Sequence, residues 1–355
     1  MNTKYLNKMF AEHKVDALVS EAPQTRLWLT GIQTTDGYVI IEKDNAHLFV
    51  DGRYIEYAKN NAKNVTIHLL NGSSLVDFFK EKKYNKVAFE KDYLNVQTLQ
   101  YLQKIIQPKQ EVFVSGQELR ILKSDKEIEI LQKSIDISLK SLSDLKKWIK
   151  PGYTEKEVAA KLNYLMKLNG ADKESFDEIV ATGSSSAEPH HHPTDKKLVA
   201  GDLLKIDFGA LYKGYSADIT RTFILGENGI DENRQANNPK AQEILDIVLA
   251  AAKAGRDAVK PGIRASEIDK ICREYIEKAG YGQYFVHGTG HGLGIDVHEL
   301  PYVSSKSKDY ILEPGMVITV EPGIYIEGLG GARNEDDVLV TETGRYVFSR
   351  PEERS

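Results

Sequence analysis

The sequence predicts an α/β unit followed by a larger α+β unit built as a pseudo-two-fold duplicate. Three observations carry this: short apolar runs alternate with turns up to about Gly116, a set of turn and helix residues recurs at an offset of 110 residues, and strand pairs follow each copy. At 355 residues the chain is long enough for two domains of ordinary size. In the first unit, residues 17–19, 38–41 and 46–50 read as strands, with a hairpin turn at Lys43-Asp44-Asn45. Residues 87–89 and 111–114 add two more, and 95–106 carries Leu99, Leu102, Ile105 and Ile106 at helical spacing. Mostly polar sequence from Ser115 then reaches Ser124-Asp125-Lys126-Glu127, a capping box that opens a long helix. The expected division is therefore 1–122 and 123–355.

The second unit repeats itself. Lys150-Pro151-Gly152 returns as Lys260-Pro261-Gly262, Glu157-Val158 as Glu267-Ile268, and Gly170 as Gly280. In each copy a helix runs into a Pro-Gly turn, a second helix follows, and a glycine closes it. Strands come next. Residues 203–208 and 216–222 flank a Tyr212-Lys213-Gly214-Tyr215 turn, and residues 316–325 and 333–341 flank the Gly-rich 327–331. Each pair is expected to form one antiparallel hairpin.

Composition narrows the function. Lys and Arg number 47 against 52 Asp and Glu, a net charge of −5, so there is no positive excess to hold nucleic acid or an anionic membrane. The single cysteine, Cys272, excludes an intrachain disulfide, and residues 1–10 are too polar for a secretory signal, so a cytoplasmic location is expected. Cys272 itself reads as a small core residue on the apolar face of a helix. No apolar run approaches the ~18 residues of a membrane span.

Asp207, Asp218, Glu321 and Glu335 stand in or beside apolar strand text, and buried acids need partners. Two facing hairpins would bring all four together, where like charges ~4 Å apart repel by roughly 4 kcal/mol per pair even at an effective dielectric of 20. Added protons or cations make that tolerable. Two divalent ions would balance four carboxylates, and an oxygen-rich set with one imidazole suits manganese, cobalt or zinc. Arg333, two residues before Glu335, is expected on the same strand face. The imidazole candidates lie in His287-Gly288-Thr289-Gly290-His291-Gly292-Leu293-Gly294 and His298-Glu299-Leu300-Pro301, with His190-x-x-Pro193 echoing the latter. A phosphate loop is the competing reading of the glycines, but no Gly-Lys-Ser/Thr ending is present. His191 and His192 read as solvated neighbours of His190, since three adjacent side chains cannot all enter one site.

These stretches, with Ile206-Asp207-Phe208-Gly209, Glu321-Pro322-Gly323-Ile324-Tyr325 and Glu335-Asp336-Asp337-Val338, resemble the Xaa-Pro branch of the pita-bread metallopeptidases, aminopeptidase P and prolidase. Leu29-Thr30-Gly31 and Asp51-Gly52-Arg53-Tyr54 look like that branch's creatinase-type N-terminal domain, which would be 1–122, with the catalytic domain at 123–355. The resemblance implies a dinuclear site with Asp207, Asp218, His291, Glu321 and Glu335 as ligands, manganese first among the metals. A hydroxide bridging the ions would attack the scissile carbonyl, with Glu321 as general base. His190 and His298 would be catalytic donors that also bind substrate, and His287 would bind substrate in the pocket lining; Arg333, from its spacing to Glu335, is expected to bind substrate or to pair with an acid there. Substrates would be peptides with proline second, and the assembly a homodimer. In the archaeal-type prolidase pattern an Arg follows His-Glu-x-Pro and can hold a dipeptide's carboxylate. Tyr302 stands there in this chain, which favours an aminopeptidase over a dipeptidase. Methionine aminopeptidase fits less well, lacking the first domain. A metal-free binding module or creatinase-like amidinohydrolase would have lost ligands that are all present.

Overall fold

The computed structural model describes residues 1–231 and 234–353. The chain divides into two compact units, Met1–Leu122 and Lys123–Ser355. The first holds a six-stranded sheet of β1 (Ala17–Ser20), β2 (Tyr38–Glu42), β3 (Ala46–Val50), β4 (Thr66–Leu69), β5 (Lys86–Glu90) and β6 (Gln110–Val114). The order is β4-β3-β2-β1-β5-β6, with β1 and β3 each antiparallel to β2 and the outer pairings parallel. The helix Val96–Ile106 caps its first turn with the Asn95 side chain on the Thr98 amide and turns Leu102 and Ile106 inward. Strand β4 escapes sequence reading because its Thr-Ile-His-Leu lies at a sheet edge with both ends exposed.

In the second unit each half opens with a helix pair. Asp125–Trp148 and Glu155–Leu168 serve the first half, Pro239–Ala258 and Ala265–Lys278 the second. Leu131, Leu145, Val158 and Leu162 are fully buried between helices and sheet, at roughly 1.5–3 kcal/mol for each such side chain removed from water. The first half's strands are β7 (Lys173–Glu174), β8 (Ile179–Thr182), β9 (Leu203–Phe208), β10 (Ala210–Tyr212), β11 (Tyr215–Ser216), β12 (Ile219–Gly226) and β13 (Gly229–Ile230). The second half supplies β14 (Gly290–Gly292), β15 (Glu299–Val303), β16 (Val317–Val320), β17 (Gly323–Ile326), β18 (Gly330–Arg333), β19 (Asp336–Val340) and β20 (Arg345–Val347).

The duplicate is visible in the pairing. Antiparallel β8-β9-β12-β13 in one half matches β14-β16-β19-β20 in the other, with β15 added at an edge. Neither hairpin is the single one expected. Each splits into an outer strand pair, β9 with β12 and β16 with β19, and an inner pair, β10 with β11 and β17 with β18. In the second half the run 316–325 breaks at Glu321-Pro322, because proline has no N–H to continue the ladder. The return strand breaks at Asn334-Glu335, and 216–222 breaks at Ala217-Asp218. Arg333 ends β18 and Glu335 precedes β19, so no continuous strand joins them, yet both side chains reach the same cavity and both bond Thr220 Oγ1.

Candidate metal centre

The strand breaks place the acids. Asp207 is next to last in β9, Asp218 immediately precedes β12, Glu321 immediately follows β16, and Glu335 immediately precedes β19. His291 is the middle residue of β14, where Gly290 and Gly292 run so close to neighbouring backbone that a Cβ on either would meet a carbonyl oxygen at 2.1 and 2.2 Å. All five line one cavity of about 520 Å³ in the second unit. Asp207, Asp218, His291 and Glu335 are buried, and Glu321 is partly so.

Their donor atoms converge in overlapping groups. Asp207, Asp218 and Glu335 form one, His291, Glu321 and Glu335 a second, each with ligand atoms within 4.8 Å of one another. Glu335 belongs to both, while Asp218, His291 and His298 make a third. His291 Nε2 lies 3.3 Å from Glu321 Oε1 and 3.6 Å from Asp218 Oδ2, with its Nδ1 3.1 Å from the Gly292 carbonyl. Glu335 Oε2 accepts a 2.6 Å hydrogen bond from Thr220 Oγ1. Asp207 Oδ2 accepts from the Arg333 guanidinium, and Asp207 Oδ1 is buried without a hydrogen-bond partner.

The electrostatics mark the cluster as short of positive charge. Burial, then repulsion from Glu335, Asp207 and Glu321, holds Asp218 well above the ordinary carboxylate range. Glu335 is raised likewise, by burial and then by Glu321 and Asp207. Burial pushes Glu321 up too, but the His291 hydrogen bond and the charges of His291, His287 and Arg333 outweigh it and bring it to about 2. Two protonation-prone acids, one unpartnered buried carboxylate oxygen and a convergent imidazole are a donor set that fits hard or borderline divalent cations.

The remaining candidates divide by exposure. His190 and His298 are exposed side chains on the cavity wall, and His298 stacks edge-on against His291 with ring centroids 4.3 Å apart. Burial, then the charge of His291, lowers the pKa of His298. His287 is tied instead to Tyr325, Nε2 to hydroxyl at 2.8 Å, and that hydroxyl lies 3.0 Å from Arg333 Nη1. Arg333 is fully engaged: besides Asp207 it donates to Thr220 Oγ1 at 3.0 Å and to the Pro189 carbonyl at 3.2 Å. His192 is exposed as expected, but His191 is not solvated. It is buried, with Nε2 2.9 Å from Glu155 Oε2 and Nδ1 2.7 Å from Glu188 Oε2. Sequence reading also passes over Tyr325 and Asp269, the latter gripping the Thr289 amide and hydroxyl at 3.1 and 2.9 Å two residues before His291. Tyr325 closes the Glu321-Pro322-Gly323-Ile324-Tyr325 stretch without a role being read from it, and nothing in the spacing marks Asp269.

A family model described as metallopeptidase family M24 matches residues 129–342, and one for the creatinase/prolidase N-terminal domain matches residues 3–122. The chain belongs to metallopeptidase family M24. Like other members of that family with a creatinase N-terminal domain, it carries the pita-bread fold in its second unit. The chain is 38% identical to the Xaa-Pro dipeptidase of Pyrococcus furiosus, over 98% of this chain and 97% of that one. It superposes with a TM-score of 0.90 on an Xaa-Pro dipeptidase from Bacillus anthracis, 37% identical, covering 99% and 97% of the two chains. An X-Pro aminopeptidase from Thermotoga maritima gives 0.86 at 31% identity, covering 98% and 99%. The M24 family is thus represented among similar structures by both modes of cleavage.

Proposed function

We propose that the protein is a dinuclear metallo-exopeptidase that removes the first residue from peptides whose second residue is proline. The observation that carries the aminopeptidase mode is the charge of the cavity wall. Among the described residues lining it, Arg333 is the one lysine or arginine, and its guanidinium is committed to Asp207, Thr220 and Pro189. Tyr302 and Asp177 stand on the wall instead. A dipeptide's free carboxylate finds no side-chain guanidinium or ammonium to hold it there, whereas a longer peptide continues as a neutral amide.

In this reading Asp207, Asp218, His291, Glu321 and Glu335 hold two divalent ions, manganese first and cobalt or zinc as alternatives. When bound, the ions supply Lewis acidity that polarises the scissile carbonyl and acidifies water. Glu321, whose carboxyl, despite burial, is held below its ordinary value by His291, His287 and Arg333, is ionised at neutral pH and would take the proton of the attacking water and deliver it toward the prolyl nitrogen. His190 and His298, exposed on the wall, donate to the oxygen on which negative charge develops, and such donors count when they bond the transition state more strongly than the substrate. Arg333 holds Asp207 in place. His287, tied to Tyr325, shapes the wall that receives the pyrrolidine ring, which needs no N–H partner. Residues 1–122 serve as the creatinase-type domain and 123–355 as the catalytic one, in a cytoplasmic homodimer. No helix among the described residues is long and apolar enough to cross a membrane.

The dipeptidase mode keeps a claim because the Pyrococcus and Bacillus relatives bear that name. Metal-stripped protein given Gly-Pro or Arg-Pro-Pro, with and without manganese, separates the two. Manganese-dependent release of Arg from the tripeptide is the expected result. Cleavage of Gly-Pro alone makes the protein a prolidase, and no release from either removes the proline-peptidase reading.

A further inference from the structure

The loop that presents His190 to the cavity is fastened on both sides of that residue and at no point on its side chain. On the near side Lys205 Nζ donates to the Glu188 carbonyl at 2.6 Å and Arg333 Nη1 to the Pro189 carbonyl at 3.2 Å. Beyond it the His191 ring fills the gap between Glu155 and Glu188, and Thr194 binds the same Glu155 oxygen through its amide at 3.0 Å and its hydroxyl at 2.6 Å. Glu155 is fully buried at the first turn of its helix, and its other oxygen accepts from the Thr182 amide at 2.9 Å, at the end of β8. One carboxylate thus joins helix, sheet and loop. His190 makes no hydrogen bond to any described residue and points its ring at the cavity that holds the acids.

We infer that His191 is a positioning residue: clasped by Glu155, it fixes the direction in which His190 meets the reacting carbonyl oxygen. The inference rests on the role given to His190 above and adds a residue at the cavity edge whose ring nitrogens are bonded to Glu155 and Glu188 rather than to any of the five proposed ligands. Its physical basis is that a neighbour in sequence, once buried and bonded on both ring nitrogens, leaves the adjacent side chain little freedom of backbone angle. A donor displaced by about 1 Å from its productive place can cost up to ~100-fold in rate. The second half has a similar device, without a histidine and one turn further along its helix. Asp269, fully buried, grips Thr289 by amide and hydroxyl and the Ser305 amide at 3.1 Å, and Arg273 supplies the cationic side.

The test is a double-mutant cycle on the full-length, manganese-loaded enzyme with Arg-Pro-Pro as substrate, following kcat, KM, bound metal and thermal unfolding. His191→Leu is expected to lower kcat by ~10–100-fold, with KM and metal content close to those of the parent. In a His190→Ala background the same change is expected to cost no more than about twofold, because its route of action is gone. His191→Gln, which keeps one amide donor toward Glu155, should recover part of the rate, and it keeps the cycle usable where the leucine variant does not fold. Equal losses from His191→Leu, or from His191→Gln where that stands in, in both backgrounds would overturn the inference while leaving His190 in its role. Wild-type kcat in His190→Ala alone would remove that role, and the inference with it.

Discussion

The two halves of the catalytic unit share a frame and differ in what they hang on it. Each has a helix pair, an antiparallel set in which an outer strand pair encloses an inner one, and a buried acid on the second helix that grips a threonine twice. Yet the first half contributes two of the five proposed ligands, Asp207 and Asp218, and the second contributes His291, Glu321 and Glu335. The anchors differ as well: Glu155 works with His191, Asp269 with Arg273. Duplication repeats the frame, while the anchoring acids stand at different points along it: at the 110-residue offset Glu155 corresponds to Ala265 and Asp269 to Ala159.

The largest break in this comparison should come from its acids. Glu335 is common to two donor groups whereas Asp207 belongs to one. Glu335→Ala is therefore expected to lose ~10²–10³-fold or more in kcat and both equivalents of manganese, while Asp207→Ala retains one equivalent. Metal analysis beside kinetics checks this, and equal metal loss in the two variants would make the halves interchangeable.

Next in size are the anchors. Glu155→Gln and Asp269→Asn should each cost about 1.5–3 kcal/mol, the worth of hydrogen bonds to a charged group, measured by urea unfolding. Their pH dependence has a definite sign. Burial raises both carboxyls, but Thr194, His191 and two amides on Glu155, and Arg273, Ser305 and Thr289 on Asp269, outweigh it and leave each below its ordinary value. A depressed carboxyl contributes its full stability above the unfolded value near about 4 and loses it as pH falls through the lower folded value. The gap between wild type and either variant should hold at pH 7 and close in acid below about 4. A gap that persists there would mean the anchor acts by shape rather than charge.

Helix starts give a smaller contrast. Thr154 and Glu157 exchange hydrogen bonds of 2.7 and 3.2 Å in a capping box, while the equivalent start at Arg264 has no side-chain cap. Thr154→Ala should cost about 1 kcal/mol and Arg264→Ala less, in the same unfolding assay. Smallest of all is Cys272, buried where the first half has Leu162. Burial pushes its thiol up to about 12, so iodoacetamide should leave it unmodified in the native protein and label it only in urea.

Much of this is legible in the sequence, and the limits are physical. The helix pairs announce themselves because Pro-Gly turns and closing glycines are set by local backbone geometry. Asp207, Asp218, Glu321 and Glu335 stand out because acids beside apolar strand residues are costly unless they share a cation. Cys272 follows from helical spacing. The break at Glu321-Pro322 is marked by its proline, whereas those at Asn334-Glu335 and Ala217-Asp218 are hidden, since pairing of β9 with β12 and of β16 with β19 is decided by partners rather than by the run itself. His191 misleads for the same reason: its partner Glu155 lies 36 residues away, and adjacency to His190 says nothing about that bond.

The bond between Thr220 and Glu335 spans 115 residues, and the Glu335 amide returns to the Thr220 carbonyl at 3.0 Å. The acid common to both donor groups is thus stitched to the opposite half by side chain and backbone alike. No local segment, however well folded, contains the centre. Closing so long a stretch carries an entropic cost that only the docked halves repay, so assembly of the centre requires the tertiary structure of both halves and is not a property of any one segment.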